Sequence, residues 1–208
     1  MLPRHLRVLV TVGTIVCASL LGTISPSQAA EDVVRATTSY AAASRILAGQ
    51  VFVWEPSYAA GLRRNREIDV LAFQSQGSRA TFVGSTYGKR VPSFTMAQKG
   101  SDSRWAAKPV EHPSERLVET VAIRIGPAGA KRPARARIYA NCKGDLGVRR
   151  APGSRCERAD VARFGGALVL LARTNSGGAP TATDIRIDST GLSYQQLLRI
   201  ARGLRPVG

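Results

Sequence analysis

The chain has 208 residues, 44% of them hydrophobic, and its 30 basic and 14 acidic residues leave a net charge of +16. That hydrophobic content excludes a disordered tail or polymer, and three cysteines are too few for a small scaffold held together by disulfides. The charge implies long-range attraction to polyanions, and with only five lysines among the basic residues, arginine carries it.

The first 29 residues have the three parts of an export signal. Arg4, His5 and Arg7 form a positive start, Val8 to Leu21 an apolar run, and Ser27 and Ala29 place small residues at −3 and −1 of a cleavage point. An uncleaved anchor is the competing reading, but even counting on to Ile24 the apolar run of about 17 residues is at the short limit for crossing a bilayer. Cleavage would leave residues 30–208, the size of one secreted domain, and would remove only Arg4 and Arg7 from its charge.

Glu31 to Ala48 reads as an N-terminal helix. Val33, Ala36, Tyr40, Ala43 and Leu47 share one face, Glu31 and Asp32 suit the N-terminal end of the dipole, and Gly49 closes it. The chain then changes character. Gln50–Trp54, Ile68–Phe73, Ala80–Val83 and Phe94–Ala97 are short runs rich in β-branched and aromatic residues, about ten residues apart, as in an antiparallel meander. Residues 99 to 114 read as a loop, Leu117–Ile125 as a strand, and Gly126–Pro133 as a long hairpin loop rather than a domain boundary. Arg135–Ala140 and Ala167–Arg173 are the next strands, with Ile138 and Leu168 to Leu171 as core candidates, and Asn175–Gly178 turns into the last strand.

The closing segment is the most legible. Thr183, Ile185 and Ile187 alternate with Asp184, Arg186 and Asp188, the period of a strand with one wet face. Thr190-Gly191 breaks it. Ser193 and Gln196 then have the spacing of a capping box, and Leu192 and Leu197 that of a hydrophobic staple. Leu197, Leu198, Ala201 and Leu204 lie on one helical face, Gly203 suits a C′ position, and Pro206 stops continuation. The run from Ile187 to Leu204 resembles the closing strand and helix of exported bacterial domains related to lipoprotein-sorting and anti-sigma-factor regulatory proteins. The resemblance implies a sheet-forming envelope domain without a catalytic centre.

Among the residues that could carry chemistry, Cys142 and Cys156 remain after cleavage, and an even pair in an exported chain reads as a disulfide. No CxxC spacing or nearby histidine makes them a metal or redox pair. The one histidine beyond the signal, His112, stands between Glu111 and Pro113 in the expected loop; an extracellular hydrolase would have to build its site around it from distant residues. Gly84–Gly88 has its serine second rather than third in five residues, so it is not a nucleophile elbow. No Walker, GxGxxG, HExxH or Ser-x-x-Lys pattern is present, and no cofactor or metal is expected. Glu67 with Asp69, beside Arg63, Arg64 and Arg66, and Asp184 with Asp188, beside Arg186, read as charge pairs on solvated faces.

The remaining signal is basic. Arg63, Arg64 and Arg66, then Lys131, Arg132, Arg135 and Arg137, then Arg149 and Arg150 with Arg155 and Arg158, lie in or beside expected loops. Guanidinium forks suit phosphate and carboxylate groups, but no aromatics interleave with them, so dedicated nucleic-acid recognition is not expected. The chain therefore reads as an α+β domain, a mostly antiparallel sheet of six or seven strands between an N-terminal helix and a capped C-terminal helix. The function expected is a non-catalytic binding or accessory role at the cell envelope, with an anionic polymer or lipid as partner. Arginines scattered by composition alone would make no coherent patch.

Overall fold

The structure is a computed structural model and describes residues 33–47, 52–75, 78–101, 113–126, 133–142, 155–176 and 179–207. It is α+β, as expected, with antiparallel pairing throughout; among the described residues there are ten strands, and the main sheet has eight rather than the six or seven expected. In chain order these are β1 (Val33–Thr37), α1 (Tyr40–Leu47), β2 (Val53–Pro56), β3 (Arg64–Ser75), β4 (Ser78–Tyr87), β5 (Ser93–Ser101), β6 (Arg116–Ile123), β7 (Ala134–Ala140), α2 (Arg158–Phe164), β8 (Gly166–Ser176), β9 (Ala179–Thr190), α3 (Tyr194–Arg202) and β10 (Leu204–Val207). Eight form one sheet in the order β1-β3-β4-β5-β9-β8-β7-β6, and β10 pairs with β2 as a separate ribbon.

Register makes one face of the large sheet continuous. Val70 opposes Val83, Val83 opposes Gln98, and Gln98 opposes Ile185; Ile185 meets Leu170, and Leu170 meets Ala136. All six are buried. Alternation puts these residues on the inner face, and α1, α2, α3 and the β2–β10 ribbon complete the core with Tyr40, Leu47, Trp54, Val161, Leu197 and Leu204. Polar side chains on this face are spent on holding the ribbon and the sheet together. Gln98 donates from Nε2 to the Trp54 carbonyl (2.8 Å) and accepts from the Trp54 amide (2.7 Å), and Thr183 Oγ1 donates to the Phe52 carbonyl (2.9 Å). The Tyr40 hydroxyl bonds Ser85 Oγ at 2.7 Å and the Tyr87 hydroxyl at 2.9 Å, and Tyr87 stacks on Phe94. Burial pushes both phenols above their ordinary pKa, so they act as neutral hydrogen-bonding groups.

The closing segment is built as its sequence indicated. Thr183, Ile185 and Ile187 are buried while Asp184, Arg186 and Asp188 are half-buried on the other face. Ser193 caps α3: its Oγ accepts from the Gln196 amide, and the Gln196 side chain accepts from the Ser193 amide. Gly191 has φ +74°, and a Cβ there would meet Val91 Cγ1 at 2.6 Å, so the turn needs glycine.

Three expectations are corrected. The helix expected over Glu31–Ala48 is a strand followed by a shorter helix: β-branched Val33, Val34 and Thr37 extend along β3, and Ser39 Oγ accepts the Ala42 amide at the start of α1. Gly203 is not a left-handed C′ residue; its φ is −79°, and its value is close approach, since a Cβ would come within 3.0 Å of Ser57 Oγ. The helix does end before Pro206, as expected, and the chain goes on as β10, an edge strand on which proline costs no ladder bond. The loop expected from residue 99 starts later, because β5 pairs with β9 as far as Ser101. Helix α2 and the β2–β10 ribbon were not anticipated. One expected feature holds, since β6 and β7 pair as a hairpin, and Cys142 and Cys156 lie at a distance compatible with the expected disulfide, with Cα atoms 6.1 Å apart, between the end of β7 and the start of α2. The export signal and His112 lie outside the described residues.

Candidate anion-binding face

The outer face of the same sheet is where the charges lie. On β7, Ala136 and Ile138 are buried and alternate with exposed Arg135 and Arg137. Arg135 opposes Ala122 on β6 and Arg137 opposes Thr120; across β8, Ala136 and Arg137 pair with Leu170 and Val169. The same alternation carries Arg124, just past β6, and Arg173 on β8 to the outer face, diagonally beyond Arg135 on either side. All four guanidinium groups are exposed, and among the described residues none has an ion-pair partner. No acid among the described residues stands on the outer face of β6, β7 or β8 within their paired registers.

The other arginines of interest are distributed differently. Arg63 and Arg66 are exposed at the start of β3, which four strands separate from β7, or roughly 24 Å at about 4.8 Å per step. Arg64 lies over the Tyr40 ring at 5.5 Å and donates to the Thr38 carbonyl at 2.7 Å, which makes it part of the fold. Arg158 is exposed but grips Glu119 with two hydrogen bonds of 2.9 Å. Tyr194 donates to the same carboxylate at 2.7 Å, so β6, α2 and α3 meet there. Those bonds, from Tyr194 first and Arg158 second, hold the Glu119 carboxyl below its usual range. Lys131, Arg132, Arg149 and Arg150 lie outside the described residues.

The acidic pairs also divide. Arg186 is bonded to Asp188 at 2.9 Å and to Glu115, a 4% exposed residue just before β6. Burial works to lower the Arg186 pKa, but the bonds to Asp188 and Glu115 outweigh it and hold the guanidinium above its usual value. Burial raises the Asp184 carboxyl, partly offset by Lys99, which it opposes across β5. Glu67 and Asp69 are exposed, and among the described residues no ion pair links them to Arg63, Arg64 or Arg66. The Gly84–Gly88 segment is strand and turn: Ser85 sits in β4, bonded to Tyr40.

Two surface clefts are present. One of about 540 Å³ is lined by Val118, Glu119, Cys156 and Arg158; another of about 170 Å³ lies at the ends of β5 and β9, with Asn141 and Asp188. The four arginines line neither. Their face suits an extended or planar anion rather than an enclosed small molecule. Among the described residues, no group of three His, Cys, Asp or Glu side chains is placed to hold a metal.

Arg124 and Arg173 were not singled out from the sequence. Each stands alone at the end of an expected strand, and alternation with Ile123 and Ala172 could have pointed them outward. Only the strand order brings them beside Arg135. No family model matches the chain, and neither does any curated protein or solved structure.

Proposed function

We propose that the protein is a non-catalytic binding or accessory domain of the cell envelope that engages an anionic polymer or lipid through the outer face of β6, β7 and β8. The observation that carries this reading is the group Arg124, Arg135, Arg137 and Arg173, exposed on adjacent strands without ion-pair partners among the described residues. Exposed arginines also stand elsewhere, Arg35, Arg45, Arg63 and Arg66 among them, but these four share one face of three adjacent strands on which no acid stands within the paired registers, whereas Arg64, Arg158 and Arg186 are held by Tyr40, Glu119 and Glu115. The inner face is filled by helices and ribbon, so a ligand held between sheet and helices, as in a lipid carrier, is not favoured. Export, read from the first 29 residues, would place the domain among envelope polyanions.

The test is titration of the purified protein onto anionic and neutral vesicles, and onto a soluble polyanion, across a salt series. The expected result is binding to anionic partners only, falling steeply with salt, and weakened by Arg135→Gln with Arg137→Gln. Equal binding to neutral vesicles, or no binding at low salt, overturns it.

A further inference from the structure

We infer, on the strength of that reading, that the partner is a linear phosphodiester polymer without bases, lying along β6–β8, and not the flat surface of an anionic membrane.

Three observations on the outer face carry this. The first is how its charge changes from strand to strand. Beyond β8 the face turns acidic: β9 presents Asp184 and Asp188 around the paired Arg186, and β3 presents exposed Glu67 and Asp69, against which only Lys99 stands on β5 among the described residues. A membrane docked on this face would bring those carboxylates toward its own negative charge, whereas a narrow chain lying along β6 and β7 keeps clear of all but Asp184, which stands one strand over and two residues on from Arg173. The apolar residues among the arginines, Val169 and Leu171, are half-buried and offer nothing to insert into a bilayer.

The second is spacing. Arg135 and Arg137 are two residues apart on one strand, about 6.7 Å, and Arg124 and Arg173 each stand one strand over and two residues on, about 8 Å from Arg135. Arg137, Arg135 and either Arg124 or Arg173 thus make a run of cationic forks 7–8 Å apart, about the interval between successive phosphates of an extended phosphodiester chain, so each can engage a different phosphate, and arginine forms the bidentate pairing that lysine cannot.

The third is the aromatic content. Binders of single-stranded nucleic acid stack bases on exposed rings. On the outer face of β6–β8 the one ring among the described residues is Tyr139, and it is 1% exposed. Among the described residues this face can grip phosphates but has no exposed ring on which to stack bases.

The experiment measures binding of the purified protein to an abasic deoxyribose-phosphodiester oligomer, to single-stranded homopolymer DNA of equal length and charge, and to mixed phosphatidylglycerol–phosphatidylcholine vesicles, each over a salt series. The wild type, the quadruple variant Arg124→Gln, Arg135→Gln, Arg137→Gln, Arg173→Gln and the control Arg63→Gln, Arg66→Gln are compared. At equal phosphate concentration, the abasic oligomer should bind more tightly than vesicles and at least as tightly as DNA. The quadruple variant should flatten the log–log salt slope by about 2 to 3, at about 0.7 for each phosphate no longer neutralised, while the control changes it by less than about 1. Tighter vesicle binding that the quadruple variant weakens would overturn the polymer assignment and leave the anionic-partner reading standing. Tighter DNA binding would overturn the base-free assignment. Equal losses in variant and control would show net charge at work and no site. Absence of binding to all three at low salt would overturn both the inference and the reading beneath it.

Discussion

The two faces of the eight-stranded sheet are made by the same strands, from alternate residues, and are used in opposite ways. On the inner face polar side chains are committed to the fold, Gln98 to the backbone of Trp54, Thr183 to Phe52, Tyr40 to Ser85 and Tyr87, with the buried Trp54 Nε1 the exception among the described residues. On the outer face of β6–β8 four guanidinium groups have no ion-pair partner among the described residues. Arg64 and Arg186 show what an arginine with a structural task looks like here, one laid on a ring and the other locked between two carboxylates. An arginine's work in this protein is read from its partners and not from its neighbours in sequence. Stability and binding should therefore separate cleanly by face.

The largest effect is expected from emptying the inner face. Phe94→Ala removes a 1% exposed ring stacked on Tyr87 and should cost about 3–5 kcal/mol, read from a denaturant midpoint. A loss below about 1 kcal/mol would mean this face is not the core. Replacing Cys142 and Cys156 together by serine opens a loop of about 15 residues and should cost about 3 kcal/mol on the chain-entropy model. Thiol labelling of the denatured, unreduced wild type should find neither cysteine reactive. Ser193→Ala removes the cap of α3 and should cost about 1 kcal/mol.

A smaller effect concerns pH. The folded Glu119 pKa is depressed, so its contribution is present above the ordinary glutamate value of about 4.3 and is lost as pH falls through the folded value. Glu119→Gln should lower stability at neutral pH and flatten its decline into acid. Asp184, whose pKa is raised, has the opposite sign: its penalty is relieved as pH falls. Thermal scans of wild type and Glu119→Gln across this range check the expectation, and parallel curves would count against it.

Much of this arrangement is legible in the chain, and the parts that are not have a common cause. The β9–α3 segment could be read because strand alternation, the break at Gly191 and the Ser193–Gln196 box are all local signals. Residues 33–37 misled because their apolar spacing fits a helix face, while pairing with β3, a distant partner, decides for strand. The ribbon depends on Val53–Pro56 meeting the last residues of the chain, and α2 is only seven residues long, too short to show a clear period. The candidate site follows the same rule. Arg135 and Arg137 could be named from their own strand, but Arg124 and Arg173 join them only through the order β8-β7-β6, and the runs that looked richest in sequence include Arg64, which is spent on Tyr40.

The most direct test of the division between faces is to measure both properties on one variant, Arg124→Gln, Arg135→Gln, Arg137→Gln, Arg173→Gln. Its unfolding free energy should stay within about 0.5 kcal/mol per site of the wild type, since exposed substitutions away from caps and cores are nearly neutral, while its affinity for the abasic phosphodiester oligomer at low salt falls by more than about tenfold. A variant that unfolds early would show that these arginines hold the sheet together. One that is stable and binds like the wild type would contradict the assignment of the outer face to binding.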